Sequence, residues 1–180
     1  MPTASHQSTP MLRIRQFRPD DLPDVKRLFA AGMMTYSLDP ELEHRWLAYI
    51  QKSNETDLAD INGVYIKPGG NFWVATLENE DGDDTIVGCV GLEAKPGNHG
   101  ELRRLSVDDS YKRMGIGRRL VTNLEAWAEA NGYASVELHA SHQRPGPLAF
   151  YRGMGFRHES TLAFWQNPLY EAFVMVKRFD

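Results

Sequence analysis

The sequence predicts an α/β (α+β) fold, a mixed and mostly antiparallel sheet with helices on both faces. The main observation is the order of strand and helix signals: β, α, α, β, β, β, α, β, α, β, a hairpin-rich first half followed by a strand–helix–strand unit. The second is length, since 180 residues, 42% of them hydrophobic, suit one domain with a full core. We expect a disordered tail at residues 1–10 and a single domain over residues 11–180.

The first half of the chain predicts two amphipathic helices set between strands. Apolar residues at helical spacing indicate a helix from about Asp20 or Asp21 to Gly32 and a second over residues 41–52. A further short helix is predicted over residues 56–65. Alternating or continuously apolar runs predict strands over residues 11–17, 71–77 and 85–92, and the last two form a hairpin around an acidic turn.

The second half predicts a strand over residues 100–107, a glycine-bearing loop, and a helix that ends at Asn131-Gly132. A strand over residues 133–139, a short helix over residues 148–154 and a final strand over residues 172–179 follow. One more strand is expected around residues 161–165. No internal repeat or linker divides the chain.

The loop at residues 112–117 has the pattern basic-x-x-Gly-x-Gly and opens a helix. Glycines let a backbone approach an anion closely, and the first N–H groups of a helix have no partner within it. The segment therefore predicts a phosphate cradle, with a plain tight turn as the alternative. It is neither a Walker loop nor a dinucleotide fingerprint, because the residues that complete those motifs are missing.

Charge is unevenly distributed along the chain. The net charge is −4, so the surface as a whole does not indicate a nucleic-acid partner. Six cations nevertheless cluster around the loop, which suits a small polyanion; a solvated basic face is the alternative. These are Arg103, Arg104, Lys112, Arg113, Arg118 and Arg119.

Targeting and redox signals are few. The single cysteine, Cys89, lies in an apolar run and reads as a buried core thiol, so we expect a reducing, cytoplasmic environment. No apolar run approaches the ~20 residues that span a bilayer, and residues 1–10 lack the apolar region of a signal peptide. The pair His139 and His142 lacks further ligands for zinc, so we expect no metal.

The loop resembles the coenzyme A loop of the GCN5-related N-acetyltransferase (GNAT) superfamily. The segment 149–156, with Tyr151 followed by Gly155-Phe156, resembles that superfamily's closing helix-turn. Residues 58–158 further resemble its camello-like branch, which includes N-acetylaspartate synthetase and cysteine-S-conjugate N-acetyltransferase. The chain departs from the pattern at Lys112, Arg113 and Arg144, where Arg or Gln, Gly and Asn are common.

The resemblance implies acetyl-CoA as co-substrate, bound where a parallel strand pair splays apart. It implies Glu101 as the base that deprotonates an amine and Tyr151 as the acid that protonates the departing thiolate, with a solvated glutamate and a core tyrosine as alternatives. Backbone N–H groups near Leu105–Val107 would stabilise the oxyanion. The predicted coenzyme-binding residues are Leu105, Ser106, Val107, Lys112, Arg113, Met114, Gly115, Ile116, Gly117, Arg118 and Arg144. Met33, Tyr36 and Arg104 are expected to bind the acceptor, although Met33 and Tyr36 also suit ordinary packing.

The expected function is acetyl transfer to a small-molecule primary amine, an amino acid or an amino-acid conjugate, in a ternary complex. A protein lysine or N-terminal acetyltransferase is one alternative, and a non-catalytic acyl-CoA sensor is another. The branch carries a membrane hairpin between its first helices, but here that region is interrupted by charges such as Asp39, Glu41 and Arg45. We therefore expect no membrane span. The sequence is compatible with a homodimer and does not predict the oligomeric state.

Overall fold

The computed structural model describes residues 11–36, 39–78 and 82–180, and the tail predicted at residues 1–10 lies outside them. Seven strands form one sheet in the order β1-β2-β3-β4-β5-β7-β6. Neighbours are antiparallel except β4 and β5, which are parallel. The mixed, mostly antiparallel sheet expected from the sequence is thus confirmed. The strands are β1 Leu12–Gln16, β2 Asn71–Glu78, β3 Asp84–Lys95, β4 His99–Val107, β5 Ser135–Ser141, β6 Arg157–Gln166 and β7 Leu169–Arg178.

In the described residues, four α-helices cover the sheet: α1 Leu22–Met34, α2 Pro40–Glu55, α3 Ile116–Ala130 and α4 Pro145–Gly153. Local chemistry explains two of their starts. Asp39 caps α2, because its carboxylate accepts a hydrogen bond from the Glu41 backbone N–H at 2.9 Å. Gly115, at φ 75°, holds the left-handed conformation from which α3 begins.

The helices lie on opposite faces of the sheet, and β2 shows how. Phe72 and Val74 pack in one buried cluster with residues of α1 and α2. Trp73 and Ala75 point the other way, into a cluster that includes residues of α3 and α4. Because successive strand residues face opposite sides, a continuously apolar strand such as β2 is covered on both.

The parallel pair separates along its length. β4 and β5 pair only as far as Glu101 opposite Glu137, although β4 continues to Val107 and β5 to Ser141. A β-bulge lies on β4 just beyond this point, where Arg104 and Leu105 together oppose a single residue of β3. A bulge bends its strand, so it favours divergence of β4 from β5. The separation leaves a gap that opens at Glu101.

Some element boundaries differ from the predictions. The helix expected over residues 56–65 is wrong: this stretch is a turn followed by a π-helical turn at Asn62–Ile66, where the Asp60 carboxylate binds the Gly63 backbone N–H at 2.8 Å. α1 continues past Gly32 to Met34, and the strand expected at residues 161–165 extends over all of β6. Among the described residues, no helix is both long and apolar enough to span a bilayer.

Candidate active site

A cavity of about 380 Å³ lies at the gap between β4 and β5; we call it the first cavity. Polar and charged residues of β4 and β5 line one side, and aromatic residues of α1, α2, β6 and β7 line the other. Its lining includes Glu101, Tyr151, Met33, Tyr36, Arg104, Leu105 and Ser106, all of which the sequence predicts as site residues. The fold therefore brings both predicted catalytic residues to one cavity.

Glu101 stands where the two strands separate, with its side chain 14% exposed. Its Oε2 pairs with Lys95 Nζ at 2.9 Å. Its Oε1 lies 3.8 Å from Arg103 Nε and 3.9 Å from His139 Nδ1, beyond hydrogen-bond distance. Oε2 is thus held by an ion pair, and Oε1 can still accept a hydrogen bond from a ligand.

Tyr151 approaches the cavity from α4. Its ring packs against Phe150 and Phe156, with centroids 5.2 and 5.9 Å apart. Burial raises the pKa of Tyr151, and the neighbouring Tyr36 raises it further. The phenol therefore keeps its proton at neutral pH, as a proton donor must.

Arg104 occupies the bulge with φ 61°, a left-handed conformation that is unfavourable for a non-glycine residue. Its guanidinium forms two bonds to Asp57, Nη2 to Oδ1 at 2.6 Å and Nε to Oδ2 at 2.8 Å, and a third to Tyr49 Oη at 3.1 Å. Arg104 and Asp57 side chains are only 5% and 7% exposed. Burial alone would raise the pKa of Asp57, but the bonds from Arg104 outweigh it and hold that pKa below its usual range.

The bulge also fixes the backbone around it. The Arg104 carbonyl accepts a hydrogen bond from the Cys89 thiol at 3.4 Å. The sequence predicts a strand irregularity near Leu105–Val107, and the bulge lies at Arg104 and Leu105, one residue earlier. An acceptor-binding role for Arg104 stays a prediction, and the structure adds that three of its nitrogens are already bonded.

The glycine loop follows β4 after a single turn at Asp109–Tyr111. Lys112 is exposed and pairs with Asp109, while Arg113 and Arg118 are exposed to solvent. Arg113 has φ 67°, a conformation that favours glycine, which explains why related loops often carry glycine here. A Cβ on Gly115 would meet no atom within 4 Å. Open space, exposed cations and the start of α3 together form a surface suited to phosphate groups.

Arg144 immediately precedes α4, and its side chain contacts the residues that follow α1. Its Nη1 donates to the Thr35 carbonyl at 2.5 Å, and its guanidinium lies 4.4 Å above the Tyr36 ring. A role in holding a coenzyme phosphate stays a prediction, since neither contact involves the loop.

Several lining residues were not expected from the sequence. Trp46, Tyr49, Phe164 and Tyr170 form the aromatic side of the cavity, and His139 adds a titratable group. Trp46 packs 5.3 Å from Tyr36 and 4.6 Å from Trp165. The sequences of α2 and β6 are rich in aromatic residues, which could have indicated an aromatic wall. Only the tertiary structure shows that these two segments pack against each other.

Cys89 is fully buried, and burial raises the pKa of its thiol to about 12. It is therefore a core residue, as its apolar surroundings indicate. In the part of the chain that the structure describes, no group of three or more His, Cys, Asp or Glu side chains could hold a metal ion.

Comparison with known proteins gives a match to one family model, described as the acetyltransferase (GNAT) family, over residues 31–156. Among curated proteins, N-acetylaspartate synthetase of Danio rerio is 34% identical over 113 residues, which cover 62% of this chain and 38% of that protein. N-acetyltransferase 8F1 of Rattus norvegicus is 34% identical over 117 residues, 62% of this chain and 51% of that protein.

These matches confirm the resemblance to the GNAT superfamily and to the branch with N-acetylaspartate synthetase. The matched region spans between about a third and a half of the length of these curated relatives.

Solved structures share the fold. An acetyltransferase of the GNAT family from Staphylococcus aureus Mu50 superposes with a TM-score of 0.73 at 18% identity, over 94% of this chain and 100% of that one. The PaiA N-acetyltransferase of Thermoplasma acidophilum, in complex with coenzyme A, gives 0.72 at 19% identity, over 94% and 99%.

Replacement of Asp57 by Asn leaves the buried Arg104 guanidinium without a counter-ion, and we expect a loss of about 3–5 kcal/mol in the free energy of unfolding at neutral pH. Asp24→Asn removes a partner of the exposed Arg27 and serves as control, with a change of about 0.5 kcal/mol or less. Denaturant titration measures both.

The pH dependence follows from the lowered pKa of Asp57. The ionised carboxylate stabilises the fold above its unfolded pKa of about 3.9, and this contribution is lost as the pH falls through the lower folded pKa. The difference between the native chain and Asp57→Asn should therefore shrink in strong acid. A variant within about 1 kcal/mol of the native chain at pH 7 contradicts the assigned role of the pair.

Proposed function

The chain belongs to the acetyltransferase (GNAT) family, and from that premise we propose that it transfers an acetyl group from acetyl-CoA to a primary amine of a small molecule. The preferred acceptor is an amino acid or an amino-acid conjugate, in keeping with the name of one curated relative, N-acetylaspartate synthetase. The observation that carries the proposal is the gap between β4 and β5, where Glu101 and Tyr151 line one cavity beside the bulge.

The loop and the start of α3 are suited to the diphosphate of the coenzyme. Backbone N–H groups of Ile116, Gly117 and Arg118 stand in the first turn of α3, where no helical carbonyl precedes them. Open space at Gly115 admits phosphate oxygens, and the exposed Lys112 and Arg118 add positive charge. The coenzyme supplies the acetyl group as a thioester.

An acceptor amine must lose a proton before it can attack, because its pKa lies at about 8 to 10. Glu101 Oε1 takes that proton, directly or through water, while Lys95 keeps the carboxylate in place through Oε2. The ion pair restricts the side chain, and the nearest nitrogens of Arg103 and His139 lie 3.8 and 3.9 Å from Oε1.

Two further groups serve the transfer itself. Backbone N–H groups at the bulge, near Leu105 and Ser106, donate to the carbonyl oxygen as it gains negative charge. Tyr151 Oη gives its proton to the departing sulfur, consistent with the raised pKa that keeps it protonated. Each role uses a residue that lines the first cavity.

Release of free thiol from acetyl-CoA, measured with a panel of acceptors, tests the function. We expect turnover with free amino acids or their conjugates and little with lysine-containing or N-terminal peptides. Turnover with peptides alone would contradict the proposal and identify the chain as a protein acetyltransferase. Tight binding of acetyl-CoA without thiol release for any acceptor would contradict the proposal and favour an acyl-CoA sensor.

Glu101→Gln keeps the shape of the side chain and removes the proton acceptor. We expect turnover at neutral pH to fall by about 10²–10⁴-fold and to recover partly at high pH, where the free amine is abundant. A pH–rate profile decides the matter, with the exposed Glu129→Gln as control. A variant that follows the wild-type profile would leave Glu101 with a structural role only.

Gly115→Asp places a carboxylate where the diphosphate is expected, and coenzyme A affinity should fall at least about tenfold. Gly132, just beyond the other end of α3, has a similar left-handed φ of 79° and equally open space, so Gly132→Asp imposes the same backbone strain far from the loop. Calorimetry with coenzyme A compares the two folded variants. Equal affinity in both would exclude the loop as the phosphate site.

A further inference from the structure

His139 lies on β5 between two carboxylates, Glu101 of β4 and Glu137 of its own strand. We propose that His139 is a proton relay: it accepts from Glu101 the proton that the acceptor amine has lost and passes it toward solvent beside Glu137. This inference rests on the proposed function, because it takes Glu101 to be the base.

The register of the parallel strands sets these three side chains on one face of the sheet. Glu101 lies opposite Glu137, and His139 follows Glu137 by two residues. The two ring nitrogens of His139 face different carboxylates: Nδ1 lies 3.9 Å from Glu101 Oε1, and Nε2 lies 3.5 Å from Glu137 Oε1. A movement of roughly 1 Å or less brings either nitrogen to hydrogen-bond distance. The ring can therefore bond to Glu101 on one side and to Glu137 on the other.

Exposure to solvent increases along this series. The side chain of Glu101 is 14% exposed, that of His139 is 33% exposed and that of Glu137 is 38% exposed. The oxygen of Glu101 that faces the ring is Oε1, whereas Oε2 is bound to Lys95. Because the acceptor and the thioester occupy the first cavity during the reaction, the ring offers the proton on Oε1 a route that does not cross the reactants.

The protons of the reaction balance along this route. The protonated amine gives one proton to Glu101 Oε1, its nitrogen then bonds to the thioester carbon, and the carbon–sulfur bond breaks. The second amine proton replaces the one that Tyr151 gives to the departing thiolate. An ammonium and acetyl-CoA thus yield an amide, a free thiol and one proton, and this last proton is the one that the relay carries.

The relay itself needs one tautomer of the ring. With its proton on Nε2, neutral His139 accepts the Glu101 proton at Nδ1, because an imidazole is a stronger base than a carboxylate. The imidazolium then releases the Nε2 proton to Glu137 or to water, and tautomer exchange through water restores the starting ring. Imidazole suits this task because it both accepts and releases a proton near neutral pH.

The other polar groups around the ring are unsuited to accept this proton. Lys95 and Arg103 are cations already bonded to Glu93. On β7, the residue opposite His139 is the apolar Val174. Burial raises the pKa of each of three tyrosines that line the first cavity, so these phenols stay protonated at neutral pH. They are Tyr36, Tyr151 and Tyr170.

A rapid-mixing assay of thiol release separates a relay from a base. The first turnover needs only Glu101, whereas every later turnover needs the earlier proton to have left. We expect His139→Ala to complete its first turnover at the native rate and then to turn over about tenfold more slowly. Glu137→Gln, which removes the outer carboxylate, should slow only the later turnovers, by about threefold.

Chemical rescue provides the readout that a structural role would not change. Free imidazole should return the later turnovers of His139→Ala toward the native rate and leave its first turnover unaffected. His139→Gln, which fills more of the space, should show the same slow phase with weaker rescue. His44→Ala removes an exposed imidazole that does not line the first cavity, and this matched control should behave as the native chain does. Unchanged coenzyme A affinity shows that each variant is folded.

The outcomes distinguish the relay from the proposed function. Equal rates of first and later turnovers in both His139 variants overturn the relay, while native turnover leaves the proposed function standing. Loss of the first turnover as well makes His139 the base itself, which also overturns the relay. If the native chain releases no thiol with any amine, the proposed function fails and the relay falls with it.

Discussion

The buried ion pair between Arg104 and Asp57 is the contact on which the site depends. It holds a non-glycine residue at φ 61° in the middle of a strand, a conformation that the backbone alone disfavours. That residue forms the bulge, the bulge bends β4, and the bend favours the gap between β4 and β5. Tyr65 and Tyr49 add hydrogen bonds to the pair, so α2, the π-helical turn and the central strand are tied together at one point.

Two neighbouring regions of the structure differ in how their charged side chains are paired. Beside the first cavity, acidic and basic groups of β3 and β4 form ion pairs: Lys95 binds Glu93 and Glu101, and Arg103 binds Glu93. Burial alone would raise the pKa of Glu93, but the bonds from Lys95 and Arg103 outweigh it and hold that pKa below its usual range. A neighbouring cavity of about 590 Å³ lies between α2 and β6, and its lining includes aromatic side chains of β6 and two cations of α2, Arg45 and Lys52, that form no ion pair among the described residues. The balance of charge changes at Arg103, which belongs to both.

Local patterns in the sequence were enough to predict the strand–loop–helix unit, because it depends on residues close together in the chain, and the order of the elements was enough for the sheet class. The candidate pair Glu101 and Tyr151 came from the resemblance to a known family, and their catalytic roles stay a prediction. Local patterns were not enough for contacts between distant segments. Asp57 stands 47 positions before Arg104, and the wall formed by Trp46 and Phe164 joins α2 to β6. The helix expected over residues 56–65 was wrong for the same reason: Asp57 and Leu58 are buried in tertiary contacts that outweigh helical propensity.

Because Cys89 is buried, the reactivity of its thiol can report whether the protein is folded. The side chain is the only thiol in the sequence, lies at zero exposure, and stays protonated because its pKa is about 12. Thiolate-selective reagents therefore react slowly with the native chain and rapidly with the unfolded one. In a colorimetric assay of released coenzyme, the intact protein contributes almost no background. Without substrate, the rate at which colour develops reports how often the sheet opens around β3.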